Sequence, residues 1–313
     1  MRKAHFLSIL DIERQQAKRW LELAQRLKRR WRAGEVLPVL QGYTLALLFE
    51  KPSLRTRVAF EVGMAQLGGH TVYLAPGDVQ LGKRESVADV ARNLSRWVQV
   101  IAARTFSHAT VEELAAHASV PVINALSDRE HPCQALADFL TLQEHKGRLE
   151  ELQLAFVGDG NNVCHSLLLL AATLGVHMQV ASPPGYEPLP DIVAQAQERA
   201  AQSGARLRIL HTPQEAVRDA DAVYTDVWVS MGQEAEAEVR RQVFRPYQVN
   251  EELLRYAKPD AIVLHCLPAR RGEEITDEVL DGPRSVVLDQ AENRLHTQKA
   301  LLLALLGKEE AVP

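Results

Sequence analysis

Short apolar runs of strand length, each followed by a helical pattern, alternate along nearly the whole chain, and this alternation limits its possible folds more than any other feature. Runs spaced this way mark βαβ units, which build parallel sheets covered by helices. Two series occur. The first predicts strands at 44–49, 71–74, 98–103 and 121–125, and the polar segment around His145, Lys146 and Gly147 interrupts it. The second predicts strands at 152–157, 176–181, 206–210, 222–225, 261–264 and 285–288. At 313 residues the chain exceeds the usual size of one hydrophobic core. The expected fold is therefore α/β with two domains, each a mainly parallel sheet flanked by helices, with the active site in the cleft between them. The expected domains are 1–147 and 148–290, with a helical segment at 291–313 packing back onto the first. No internal repeat is visible, so the two sheets need not be copies of each other.

Composition narrows the function classes. A net charge of -4 gives no general attraction for nucleic acid. One basic run, Lys28, Arg29, Arg30 and Arg32, ends a pattern that puts Trp20, Ala24, Leu27 and Trp31 on one helical face. The charges are read as the solvated opposite face. Cys133, Cys164 and Cys266 are too few and too scattered for a disulfide framework, which fits a reducing compartment. The first residues lack the apolar stretch and cleavage site of a signal peptide, and the apolar run 300–306 is too short to span a bilayer. A cytoplasmic protein with neither nucleic-acid nor membrane partners is expected.

In open α/β sheets ligands collect at the carboxyl ends of strands, and the residues there are polar. The first strand runs into Glu50-Lys51-Pro52-Ser53-Leu54-Arg55-Thr56-Arg57, and Val58, Phe60 and Glu61 then open a helical pattern. Ser53 is placed to cap that helix, whose N–H groups, with the hydroxyls and two guanidiniums, suit a phosphate dianion. A plain capped helix with surface arginines is the alternative. No GxxxxGK[ST] loop is present, so a nucleoside triphosphate site is not the explanation. Arg104 stands just past the third strand, and His131-Pro132-Cys133-Gln134 stands a few residues past the fourth. Alone, His131 reads as readily as a structural histidine. Together these groups match a carbamoyl group on phosphate. Arg104 and His131 would donate to its carbonyl oxygen and Gln134 would accept from its NH2, while Ser53, Arg55, Thr56 and Arg57 hold the phosphate.

The SxRT loop, the isolated arginine, the HPCQ run and the later His265-Cys266-Leu267-Pro268 run resemble, in that order, the carbamoyltransferase family, and the resemblance covers nearly the whole chain. It implies carbamoyl phosphate contacts from Ser53, Arg55, Thr56, Arg57, Arg104, His131, Gln134, Cys266, Leu267 and Arg294. Gln80 would reach a neighbouring subunit's site in a homotrimer or an assembly of trimers. Leu54 stands where ornithine-specific members often carry a small polar residue. Leucine has nothing to donate to phosphate, so Leu54 is assigned a backbone role only.

The second series must hold the acceptor. Gly158-Asp159-Gly160-Asn161-Asn162 lies between a strand and a helical run, but the third glycine of a dinucleotide loop would fall at Val163. After the next strand end, Asp226, comes Ser230-Met231-Gly232, which resembles the ornithine loop of ornithine carbamoyltransferases. By that resemblance Asn162, Ser230 and Met231 hold the α-amino and α-carboxylate groups, and Asp226 and Cys266 face the side-chain amine. An acidic residue suits a cationic acceptor, whereas aspartate would need arginine. Asp226 also reads as a turn or cap residue. The polar segment 232–238 is either a lid or an ordinary helix start. A metal site joining His265 and Cys266 to His131 and Cys133 lacks ligand spacing. The resemblance implies direct transfer to L-ornithine with no cofactor, no metal and no covalent intermediate. Aspartate, putrescine and N-acylated ornithine remain as other acceptors, and a non-catalytic binding homologue as another class. The sequence leaves open whether the reaction runs toward citrulline or back.

Overall fold

Parallel pairing joins every neighbouring strand in two separate sheets of the computed structural model, which describes residues 4–312. The first sheet contains β1 (Thr44–Phe49), β2 (His70–Leu74), β3 (Val100–Arg104) and β4 (Val122–Leu126), in the order β2-β1-β3-β4. The second contains β5 (Gln153–Val157), β6 (His177–Ala181), β7 (Leu207–Leu210), β8 (Ala222–Thr225) and β9 (Ile262–His265), in the order β7-β6-β5-β8-β9. Central strands read as continuous apolar runs because both faces are covered: β1 is TLALLF, buried from Leu45 to Phe49. The edge strand β2 alternates and is more exposed.

The described residues divide into two units. One comprises those up to Leu140 together with those from Glu292 onward, and the other comprises Thr141–Ala291. Both divisions fall inside helices, Pro132–Lys146 and Val287–Leu305. The first lies several residues before the expected boundary at 148. In the first unit Ala46, Leu48, Val90, Leu94, Ile101, Val111 and Leu114 share a core, and in the second Val157, Val223, Trp228, Phe244, Leu254 and Val263 do.

Strand order creates one switch point per sheet. After β1 the chain moves to β2 on one side and returns to β3 on the other, and after β5 it builds β6 and β7 on one side before β8 on the other. Side chains just past β1 and β3, or past β5 and β8, stand where strand direction leaves a crevice.

Two expectations fail here. No strand forms at 285–288. Ser285 makes an isolated bridge to Val263, and Val287 already begins the last long helix, which buries Val287 in the second core and leaves Leu288 exposed. The β-branched pair suggested a strand, but the helix-favouring residues that follow and the packing of the helix decide otherwise. Lys28, expected on a solvated face of the helix Arg14–Arg32, is 4% exposed. Its ammonium donates to Asn293 Oδ1 over 2.7 Å and stands 3.7 Å from Glu292, so the last helix covers it, while Trp31 of the apolar face is 44% exposed. Among the described residues no helix is long and apolar enough to cross a membrane.

Candidate active site

The loop leaving β1 is shaped by its own polar groups. Ser53 is extended, and its Oγ accepts from the Thr56 amide over 3.2 Å, capping the helix Leu54–Gln66. The first turn of such a helix presents N–H groups that the helix itself does not use, which favours an anion. Leu54 points outward, 72% exposed. Thr56 is buried, and its hydroxyl accepts from Arg294 Nη2 over 3.1 Å. The same guanidinium donates from Nη1 to Gln134 Oε1, and Gln134 Nε2 donates to Asp138 over 2.7 Å. Thr56, Arg294 and Gln134 thus form one hydrogen-bonded chain.

Arg104 ends β3 at a register shift: Ala103 pairs Asn124, but Arg104 pairs Leu126. An irregularity of this kind re-aims the side chain that follows it. His131 immediately precedes the helix Pro132–Lys146, and its carbonyl accepts from the Gln134 amide over 3.0 Å. Burial, then Arg294, Arg104, Lys51 and Arg55, hold the His131 imidazole well below its ordinary range, so it is neutral. Arg55, Arg104 and Arg294 all act on His131, and so does Lys51, to which sequence reasoning gave no role. Lys51 is 8% exposed with its ammonium 4.8 Å from the Phe106 ring centre, and burial and then Arg104 bring it down to about 8. Its place beside the SxRT loop was the available signal. Arg57 is engaged elsewhere, with Nε 3.0 Å from Glu61 Oε1 and its guanidinium 3.7 Å from the Tyr73 ring centre. Gln80 is exposed in a left-handed conformation (φ 51°) after the short helix Pro76–Val79.

In the second unit β5 leads into Gly158, at φ 143°, and then Gly160, where a Cβ would stand 2.2 Å from Pro188 N. Only glycine fits that approach. Asn161, not Asn162, caps the helix Asn162–Leu174: its Oδ1 accepts from the amides of Val163 and Cys164 over 3.0 and 3.1 Å. Asn162 is the first helical residue and is partly exposed. Asp226, just past β8, is 7% exposed and caps nothing. Its Oδ2 accepts from Asn161 Nδ2 over 2.8 Å, and its Oδ1 stands 3.0 Å from Cys266 Sγ. Cys266 follows β9 and is the partly exposed thiol, whereas burial pushes Cys133 up to about 12 and Cys164 well above its ordinary value.

Ser230 and Gln233 close a turn, amide to side chain and amide to carbonyl, each over 3.0 Å, with Met231 exposed at its tip. The segment after it is a 3-10 turn, Glu234–Glu236, running into the helix Ala237–Phe244. From that helix Arg240, 4% exposed, donates to Asp159 Oδ2 over 3.1 Å and fixes the helix against the end of β5. Burial pushes the Asp159 carboxyl up to about 7 against the pull of Arg240. This pair was not foreseen. Asp159 was visible in the GDGNN run, but nothing local linked it to Arg240.

Residues 4–144 match the family described as aspartate/ornithine carbamoyltransferase, carbamoyl-P binding domain, and residues 150–305 match its Asp/Orn binding domain. The chain belongs to the aspartate/ornithine carbamoyltransferase family. An ornithine carbamoyltransferase of Thermococcus kodakarensis is 55% identical over 301 residues, which is 96% of each chain. An anabolic ornithine carbamoyltransferase of Pyrococcus furiosus is 55% identical over 287 residues, 92% of this chain and 91% of that one. A solved structure of ornithine carbamoyltransferase from Pyrococcus furiosus superposes with a TM-score of 0.95 at 53% identity, covering 97% of both chains.

Among the described residues Asp226, His265 and Cys266 bring ligand atoms within 4.8 Å of one another. Both ring nitrogens of His265 are already engaged, Nδ1 with the Leu267 amide and Nε2 with Glu274, each at 2.9 Å. A metal would have to displace one of these bonds, because a coordinating nitrogen needs its lone pair.

Proposed function

We propose that the protein transfers the carbamoyl group of carbamoyl phosphate to the side-chain amine of L-ornithine, giving L-citrulline and phosphate. The observation that carries this reading is Asp226. A buried carboxylate at the β8 switch point, oriented by Asn161 and touching Cys266, suits an amine. The relatives named above are ornithine carbamoyltransferases, and the two matched domains are those of carbamoyl phosphate binding and of aspartate or ornithine binding.

In this reading Ser53, the backbone at Leu54, Arg55, Thr56 and Arg57 receive the phosphate, with Gln80 supplied by a neighbouring subunit. Arg57 would have to leave Glu61 to take part. Arg294 acts through Thr56 and Gln134. The amine of ornithine, oriented in its neutral form by Asp226 and Cys266, attacks the carbamoyl carbon. Charge then develops on the carbonyl oxygen and is met by Arg104 and the neutral His131 as donors. Gln134 and the Leu267 backbone receive the carbamoyl NH2. The C–O bond to phosphate breaks, and the leaving phosphate takes the proton that the amine loses. Asn162, Ser230 and Met231 hold the α-amino and α-carboxylate groups.

A homotrimer or an assembly of trimers is supported by an apolar surface stripe, Leu54, Val58 and Val62, at helical spacing on one face, with Val72 exposed on the edge strand β2. A cytoplasmic location fits three free cysteines. The biosynthetic direction is supported by the anabolic Pyrococcus furiosus relative. The test is ureido-product formation from carbamoyl phosphate with ornithine, N-acetylornithine, putrescine and aspartate offered separately. Citrulline from ornithine alone supports the assignment. Product from another amine overturns the acceptor, and no product from any overturns the reaction.

A further inference from the structure

Beside the acceptor groups lie two fully buried side chains that the transfer does not use directly. His265 and Glu274 are each 0% exposed, and His265 Nε2 stands 2.9 Å from Glu274 Oε1. The other ring nitrogen, Nδ1, accepts from the Leu267 amide over 2.9 Å. An amide N–H only donates, so Nδ1 carries the lone pair and the ring proton sits on Nε2, facing the carboxylate. Glu274 Oε1 also accepts from the Arg270 amide over 2.6 Å, which ties the far end of the same turn to the same oxygen.

Leu267 adopts φ 56°, a left-handed conformation that a branched side chain keeps only when its surroundings hold it there. Here the hold is the amide's bond to His265. Cys266 sits between these two residues, with its sulfur 3.0 Å from Asp226 Oδ1. The direction of the thiol therefore depends on the backbone conformation on either side of it, and that depends on which nitrogen of His265 is protonated.

We propose that Glu274 is a positioning residue that fixes the tautomer of His265, clamps the Leu267 amide and so holds Cys266 against Asp226 for the incoming amine. The inference deepens the acceptor assignment and rests on it. Glu274→Gln keeps an oxygen that accepts from Nε2, whereas Glu274→Leu removes the acceptor and lets the ring proton move to Nδ1, where it would oppose the Leu267 amide.

The test compares both variants of the full chain in three ways. In Glu274→Leu the kcat/KM for ornithine is expected to fall about 100-fold and in Glu274→Gln by no more than about threefold, since a small displacement of reacting groups is enough for such a loss. Alkylation by iodoacetamide reads Cys266, because Cys133 and Cys164 are buried. Its rate is expected to change about fivefold or more in the leucine variant and little in the glutamine variant. A cooperatively folded Glu274→Leu that matches the unsubstituted protein in both readouts overturns the proposal. Equal losses in both variants also overturn it, because the charge and not the acceptor would then be at work.

If Glu274→Leu does not fold, histidine-selective nitrogen NMR of the unsubstituted protein decides. A proton on Nε2 of His265 supports the clamp, and a proton on Nδ1 overturns it. If the unsubstituted protein makes no citrulline, the acceptor reading has failed, while the alkylation and NMR results still judge the clamp on their own.

Discussion

Arg294 and Thr56 stand 238 positions apart in sequence, yet Arg294 Nη2 donates to Thr56 Oγ1 over 3.1 Å, and its Nη1 serves Gln134. Through that guanidinium the last long helix joins the helix after β1 and the helix after β4 within the first unit.

Replacing Arg294 by alanine leaves two buried acceptors without that donor, at about 1 to 3 kcal/mol for each. Thermal melts should show lower stability, and steady-state kinetics a KM for carbamoyl phosphate raised about tenfold or more. Lysine offers a point charge and not a fork, so Arg294→Lys should recover the fold better than the affinity. A lysine variant with unchanged KM would contradict this role.

Arg104→Ala should lower kcat by about 100- to 1000-fold, the usual loss when one donor to a developing oxyanion is removed. The fold should survive, because Arg104 lies close enough to depress the Lys51 ammonium and its removal relieves that like-charge crowding. Single-turnover rates beside a melting curve check both halves of the statement.

Lys51 gives a pH dependence whose sign follows from its environment. Its ammonium is brought from 10.5 down to about 8, mainly by burial, so between those values the unfolded chain binds more protons than the folded one. Stability from this group therefore rises as pH rises through about 8 toward 10.5, and it is lost as pH falls back through the folded value. Affinity for phosphate runs the other way, weakening above pH 8 as the charge disappears. Denaturant unfolding at pH 7.5 and 9.5 should show a smaller gain in Lys51→Met than in the unsubstituted protein. Equal gains would remove Lys51 as the source.

Asp226→Asn keeps the size of the side chain and removes its charge. The KM for ornithine should rise about 30-fold, equivalent to ~2 kcal/mol for the lost charge-assisted contact, while phosphate binding in the absence of ornithine stays unchanged. Isothermal titration with phosphate, together with ornithine kinetics, separates the two. A rise confined to carbamoyl phosphate would place Asp226 with the wrong substrate.

Much of the architecture was legible because its signals are local. Apolar runs located all nine strands found among the described residues to within about two residues at either end, as such boundaries allow. Ser53 was readable as a cap because a cap needs only a hydroxyl before a helical pattern. The run 285–288 misled for the same local reason: two valines favour a strand, and only the packing of the last helix overrides them.

The sequence by itself determined which chemical groups stand at the strand ends, since a strand, the polar residues after it and the helix that follows are contiguous in the chain. Tertiary structure alone decided which of those groups meet. Strand order placed the ends of β1 and β3 at one switch point and those of β5 and β8 at another. Burial by the last helix turned Lys28 from a surface charge into a buried donor to Asn293. The pairing of Asp159 with Arg240, 81 positions apart, likewise appeared only once distant segments were packed. The physical reason is that a side chain's hydrogen-bond partners and desolvation depend on what covers it, and the residues that do the covering are often far away in the chain.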